Sequence, residues 1–254
     1  MQRSAADWGG NLAAFAVMIL LNVLSNALPI NGQSMPEISA KYPSLFTPAG
    51  FTFSIWGVIY LALLVFVVWQ ALPAQRNDAK LAAISLPFKI NCLMNALWLI
   101  AWHFDLVELS LVLMFAILGT LILIYRRLIS KADIVPFSRH LVLYTPFSLY
   151  TGWITLATIA NLSVVQTANG WDDIGLSAVQ WTLLKLALAG SIGATMVLRN
   201  NDVVFALVVA WAAYGIAVQQ AATPAVAGAA TSLSMLALFL VVREGINRIR
   251  TASL

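Results

Sequence analysis

Successive apolar runs, each close to the roughly 20 residues a helix needs to cross a bilayer, leave this chain little choice of fold. They fall at about Leu12 to Leu28, Phe51 to Leu72, Leu86 to His103, Val107 to Tyr125, Leu141 to Val165, Leu176 to Leu198, Val203 to Val218 and Pro224 to Val242. Only 9% of the residues are charged, against roughly 25% in an ordinary soluble domain, and the mean hydropathy is +0.87. The expected fold is all-α: a polytopic integral membrane bundle of about eight transmembrane helices.

Charge supplies an orientation, because cytoplasmic loops collect Lys and Arg. Taking alternate connections, one side gathers Arg3, Arg76, Lys80, Arg126, Arg127, Lys131, Arg139, Arg199, Arg243, Arg248 and Arg250, while the other has Lys41. Both termini are therefore expected on the cytoplasmic side, in a membrane most simply read as the bacterial cytoplasmic one. The first run also has the length of a signal-peptide core, with Ser25-Asn26-Ala27 as a cleavage site. One Arg offset by Asp7 argues for its retention. The net charge of +4 is a matter of topology rather than of nucleic-acid binding, since no basic run carries interleaved aromatics. Lone Cys92 reads as a small apolar core residue.

The carboxylates fall in loops or at helix ends, which leaves no proton relay inside the bundle. His103 and His140 fall on opposite faces on this topology, so a two-histidine metal site is excluded, although His103 alone could reach a haem iron. Lys185 is the charge expected deepest in a helix; snorkelling toward Asp172 or Asp173, or bonding a helix carbonyl, is its expected role rather than a retinal Schiff base. No acid-base or nucleophile set for an enzyme emerges.

Within the third run, Asn91, Asn95, Trp98 and Trp102 lie at helical offsets of four, seven and eleven and form one polar-aromatic stripe. Membrane amides need partners in the bundle interior, so this stripe should face inward. The second run carries Phe53, Trp56 and Tyr60 at offsets of three and seven, and the fifth carries Tyr150, Trp153, Ala157, Ala160 and Asn161. Any one stripe could be plain packing or an interfacial belt; three together point to a cavity. Between the first two runs, Pro29 to Gly50 is long for a helix connection, and its Ile38, Tyr42, Leu45 and Phe46 could fold it back as a lid or leave it a loose tether.

The run from Leu45 to Tyr60, the Asn91, Asn95, Trp98 element and the Trp153 to Asn161 spacing resemble the tryptophan-rich sensory protein, or translocator (TspO/MBR), family. The resemblance covers the first five helices. It implies an outer pocket for porphyrin, haem, sterol or another flat hydrophobic ligand, lined by Trp56, Tyr60, Asn95, Trp98, Trp153 and Asn161. The sterol-recognition pattern expected after the fifth helix is absent, that stretch reading Asn161-Leu-Ser-Val-Val-Gln-Thr167. The acidic outer face, with Glu37, Asp105, Glu108, Asp172 and Asp173 against Lys41, favours an uncharged ligand such as a carotenoid-like pigment over a tetrapyrrole's propionates.

The expected division is a family-like domain over 1–170 and a three-helix membrane extension over 171–254. In the extension, Ala189, Gly190, Gly193 and Ala194 form small-xxx-small pairs suited to close packing against another helix or a second copy of the chain. The functional expectation is a membrane receptor for a flat hydrophobic ligand; the alternative is a permease using the same cavity. Expected partners are that ligand and lipid.

Overall fold

A computed structural model describes residues 3–128, 136–171 and 174–252; Lys131, Asp133, Asp172 and Asp173 lie outside the described residues. The described elements are helical: α1 (Ala5–Ala27), α2 (Met35–Lys41), α3 (Ile55–Trp69), α4 (Ala79–His103), α5 (Val107–Leu128), the short α6 (Phe137–Arg139), α7 (Thr145–Ala168), α8 (Ala178–Asn200), α9 (Val203–Gln219) and α10 (Pro224–Ala252). Among the described residues seven helical spans are long and apolar enough to cross a membrane. The 17-residue α9 stands at the lower limit of length. The protein is thus a polytopic helical membrane bundle.

Two boundaries differ from the apolar runs. The third helix begins at Ala79 rather than near Leu86, because Asp78 caps it by accepting from the amides of Lys80 (2.8 Å) and Leu81 (3.1 Å). An N-cap carboxylate satisfies orphan amides and favours the helix dipole, and the helix then continues through Pro87. The last helix runs on to Ala252 rather than stopping near Val242, with Glu244 bridging Arg248 one turn away. A charged helical tail needs no hydrocarbon around it.

The chain divides into two compact units, Met1–Tyr42 with Trp56–Ile154, and Pro43–Ile55 with Thr155–Leu254. The division falls inside α7, between Ile154 and Thr155.

In the first unit, one end is bound together by buried polar groups. Gln70, fully buried, accepts from Arg3 at its backbone oxygen (2.9 Å) and from Asn11 at Oε1 (3.3 Å), and donates to the Trp8 carbonyl (3.0 Å). Ser85 Oγ closes the set by donating to Asn11 Oδ1 at 3.0 Å. Arg139 pairs with Asp78, and Lys80 donates to Tyr144 and to the Leu128 carbonyl. The basic residues expected on the cytoplasmic side thus collect at one end of this unit. Above them Phe66, Phe88 and Phe147 meet edge to face, with centroids 4.8 to 6.0 Å apart.

At the other end of this unit the segment after α1 is ordered. Ser34 and Glu37 form a capping box that starts α2, and Ile38 on that helix is 1% exposed. Asn31 and Gln33 donate to the His103 carbonyl (3.1 and 3.3 Å), while Lys41 Nζ sits 2.6 Å from Asp105 Oδ2. Asp105 turns the chain from α4 into α5 with φ of 54°, a left-handed conformation that Asp and Asn tolerate better than most residues.

The second unit is built on small residues. A Cβ on Gly190 would meet Leu233 at 2.8 Å, and one on Gly193 would meet Val209 at 3.1 Å, so α8 packs against α9 and α10 of the same chain. The segment before α3 docks on α9: Ala49 N donates to the Gly215 carbonyl (3.0 Å), Trp211 Nε1 donates to the Thr52 carbonyl (2.9 Å), and Phe51 packs on Trp211 and Tyr214. Lys185, 8% exposed, donates to Ser163 Oγ at 2.8 Å. A hydroxyl of a neighbouring helix thus receives the ammonium, and Asp172 and Asp173 lie outside the described residues.

Candidate functional site

Four helices of the first unit send polar side chains to one buried point. Tyr60 on α3 donates its hydroxyl to Asn22 Oδ1 on α1 at 2.5 Å. Asn22 Nδ2 donates to Asn95 Oδ1 on α4 at 2.9 Å, and Asn95 Nδ2 donates to the Tyr150 hydroxyl on α7, also at 2.9 Å. Asn22, Asn95 and Tyr150 are buried. In a low-dielectric interior such a chain holds its four helices in one register, because each missing partner would leave a bare polar group behind.

Aromatic rings enclose the chain. Trp56 stacks on Tyr60 (5.1 Å between centroids, 26° between planes) and meets Tyr150 and Trp153 edge to face at 5.9 and 6.2 Å. Trp98 and Trp102 stack on each other along α4 at 5.6 Å and 20°. Each such pair adds about 0.5–1.5 kcal/mol beyond the area it buries.

The structure therefore brings Trp56, Tyr60, Asn95, Tyr150 and Trp153 together, with Trp98 and Trp102 on the following turns of the Asn95 face. Asn91, although in register with them, bonds across to α5, donating to the Ile117 carbonyl (3.1 Å) and Thr120 Oγ1 (2.9 Å). Its amide ties two helices. Phe53, 44% exposed, and Ala157 and Asn161 belong to the second compact unit.

Asn22 was missed by the sequence reading, yet its signal is regular. Asn11, Phe15, Met18, Asn22 and Ser25, the buried residues of α1, stand at offsets of four, seven, eleven and fourteen. That is the spacing that marked α4.

A family model described as TSPO-like protein matches residues 8–243. The chain belongs to the TSPO-like family. The match reaches past the first five helices and takes in α8, α9 and most of α10 of this TSPO-like chain. No curated protein and no solved structure matches it.

His103 of the TSPO-like chain is fully buried. Its Nδ1 lies 2.8 Å from the Leu99 carbonyl, which can only accept, so Nδ1 carries the proton and Nε2 is left as a buried acceptor without a hydrogen-bond partner. Among the described residues no group of three or more His, Cys, Asp or Glu side chains could hold a metal ion.

The rim beside His103 is electrostatically tuned. The hydrogen bond from Lys41, helped by Gln33, holds the Asp105 carboxyl below the ordinary carboxylate range. Partial burial and then the Asp105 charge push the Tyr42 phenol up.

Proposed function

We propose that this TSPO-like membrane protein is a receptor for a flat, apolar ligand that enters the aromatic cluster of its first unit. The observation that carries the reading is the Tyr60, Asn22, Asn95, Tyr150 hydrogen-bond chain walled by Trp56 and Trp153. Tryptophan and tyrosine faces give a planar ligand a large apolar contact, and a few fixed polar atoms give it orientation. Tetrapyrroles, sterol-like molecules and polyene pigments are the ligand classes that fit such walls; the acidic rim favours uncharged members. Retention in a bacterial cytoplasmic membrane with both termini inside goes with this reading.

Tryptophan quenching on titration with protoporphyrin, haem or a carotenoid tests it. Trp98→Ala should weaken binding of at least one of them by about tenfold, the loss of roughly 1.4 kcal/mol of contact. Unchanged affinity for all of them, in a folded variant, would sink the reading. The latch between Lys41 and Asp105 supports a second reading, in which the same aromatic cluster serves a permease and the latch is its gate. Substrate-dependent flux in liposomes would favour that one; tight binding without flux favours the receptor.

A further inference from the structure

The polarity of the buried cluster runs one way. Both N–H groups of Asn22 are used, on the Met18 carbonyl and on Asn95, and its oxygen takes the Tyr60 proton. The chain ends on Tyr150, whose oxygen accepts from Asn95 and whose own O–H has no acceptor among the described residues. Trp98 and Trp102, one and two turns beyond Asn95, each hold a buried indole N–H without an acceptor. Buried donors are almost always answered in native proteins, so three unanswered ones on one aromatic face point to something that answers them.

The orphaned acceptors of α4 are Asn91 Oδ1 and His103 Nε2. Asn91 Oδ1 belongs to the amide directed at α5. His103 follows Trp102 by one residue, about 100° round the helix. The face formed by Tyr150, Trp98 and Trp102 is therefore a face of donors. Resting on the receptor reading above, we infer that this face selects flat apolar ligands by carbonyl oxygens, of the quinone or polycyclic-ketone type, rather than plain hydrocarbons. A carboxylate would also accept from these donors, but Glu37, Asp105 and Glu108 near the ordered segment after α1 disfavour an anion. A neutral carbonyl satisfies the donors without that repulsion.

The test compares anthraquinone with anthracene, two probes of one three-ring frame that differ in their carbonyls. Binding to the full chain in zwitterionic nanodiscs is read from the midpoint of tryptophan-fluorescence titration, with empty nanodiscs correcting for partition into lipid. Anthraquinone should bind about tenfold tighter than anthracene, the effect of one or two neutral hydrogen bonds. Tyr150→Phe and Trp98→Phe should each cut that ratio to about threefold or less. Trp98→Phe keeps a ring against Trp102 and removes no hydrogen bond of the fold, so it reports even if Tyr150→Phe is unstable. Equal affinity for the two probes would overturn the inference while leaving the receptor reading standing. Binding of neither would overturn the inference and leave the receptor reading to its own titrations. A ratio untouched by either substitution would also overturn it, since the carbonyls would then be met elsewhere.

Discussion

Asn95 and Gly215 represent two ways of closing a membrane helix bundle. In the first unit, helices meet through amides, hydroxyls and large rings, and Asn95 bonds from α4 to both α1 and α7. In the second, they meet through glycines and alanines that let backbones approach, and a Cβ at Gly215 would lie 2.0 Å from Thr52 Oγ1. Small-residue packing lets helix backbones approach through van der Waals contact. Polar groups in hydrocarbon are costly, and a chain that keeps them where Leu would pack has a use for them. On the proposed reading, ligand chemistry belongs to the first unit and scaffolding to the second.

The comparison breaks most visibly at Gly215. Thr52 is fully buried and its carbonyl is held by Trp211, so Gly215→Val should cost about 3 kcal/mol, read as a lower unfolding midpoint in detergent. Adding Thr52→Ala should recover part of that loss. A Gly215→Val protein as stable as its parent would mean that the segment from Pro43 to Ile55 is not clamped on α9.

Asn95→Leu probes the other style of packing. It strips the acceptor from Asn22 and the donor from the Tyr150 oxygen, and should cost about 2 kcal/mol by the same measurement. Little or no loss would show the amide chain to be dispensable for stability and would confine its purpose to ligand binding.

How much of this was legible beforehand follows from the same contrast. Apolar length and the Lys and Arg distribution were enough for the helices, because the bilayer imposes both. The α4 stripe was visible because amides and tryptophans break an apolar run. Its members nonetheless part company: Asn95 turns to α1 and α7 and Asn91 to α5, a choice set by which neighbour offers a partner and not by spacing. Asn22 had the same periodicity in α1 and was overlooked for want of aromatic company. The burial of His103 could not be read from its place at a helix end, because the segment that covers it comes from residues some seventy positions earlier. The extension's small residues were read as helix-packing surface, and Gly190 and Gly193 meet Leu233 and Val209.

A smaller effect belongs to the latch. Lys41 is exposed and Asp105 partly so, so Lys41→Met should cost under about 1 kcal/mol and should show mainly as faster hydrogen exchange in α2. The sign of its pH dependence is fixed: the folded-state Asp105 carboxyl lies below the ordinary range, so its contribution is complete above that range and fades as pH falls through the lowered value. The difference between parent and Lys41→Met should therefore close in acid. A gap that persists at low pH would mean that Lys41 acts through Gln33 instead.

The central claim is tested most directly by titrating two variants side by side with an uncharged carotenoid, Trp56→Ala from the first unit and Lys185→Met from the second. Quenching should show affinity reduced about tenfold or more for Trp56→Ala, which loses its contacts to Tyr60, Tyr150 and Trp153, and unchanged for Lys185→Met. Loss of binding in Lys185→Met with Trp56→Ala unaffected would place the ligand in the unit assigned here to scaffolding.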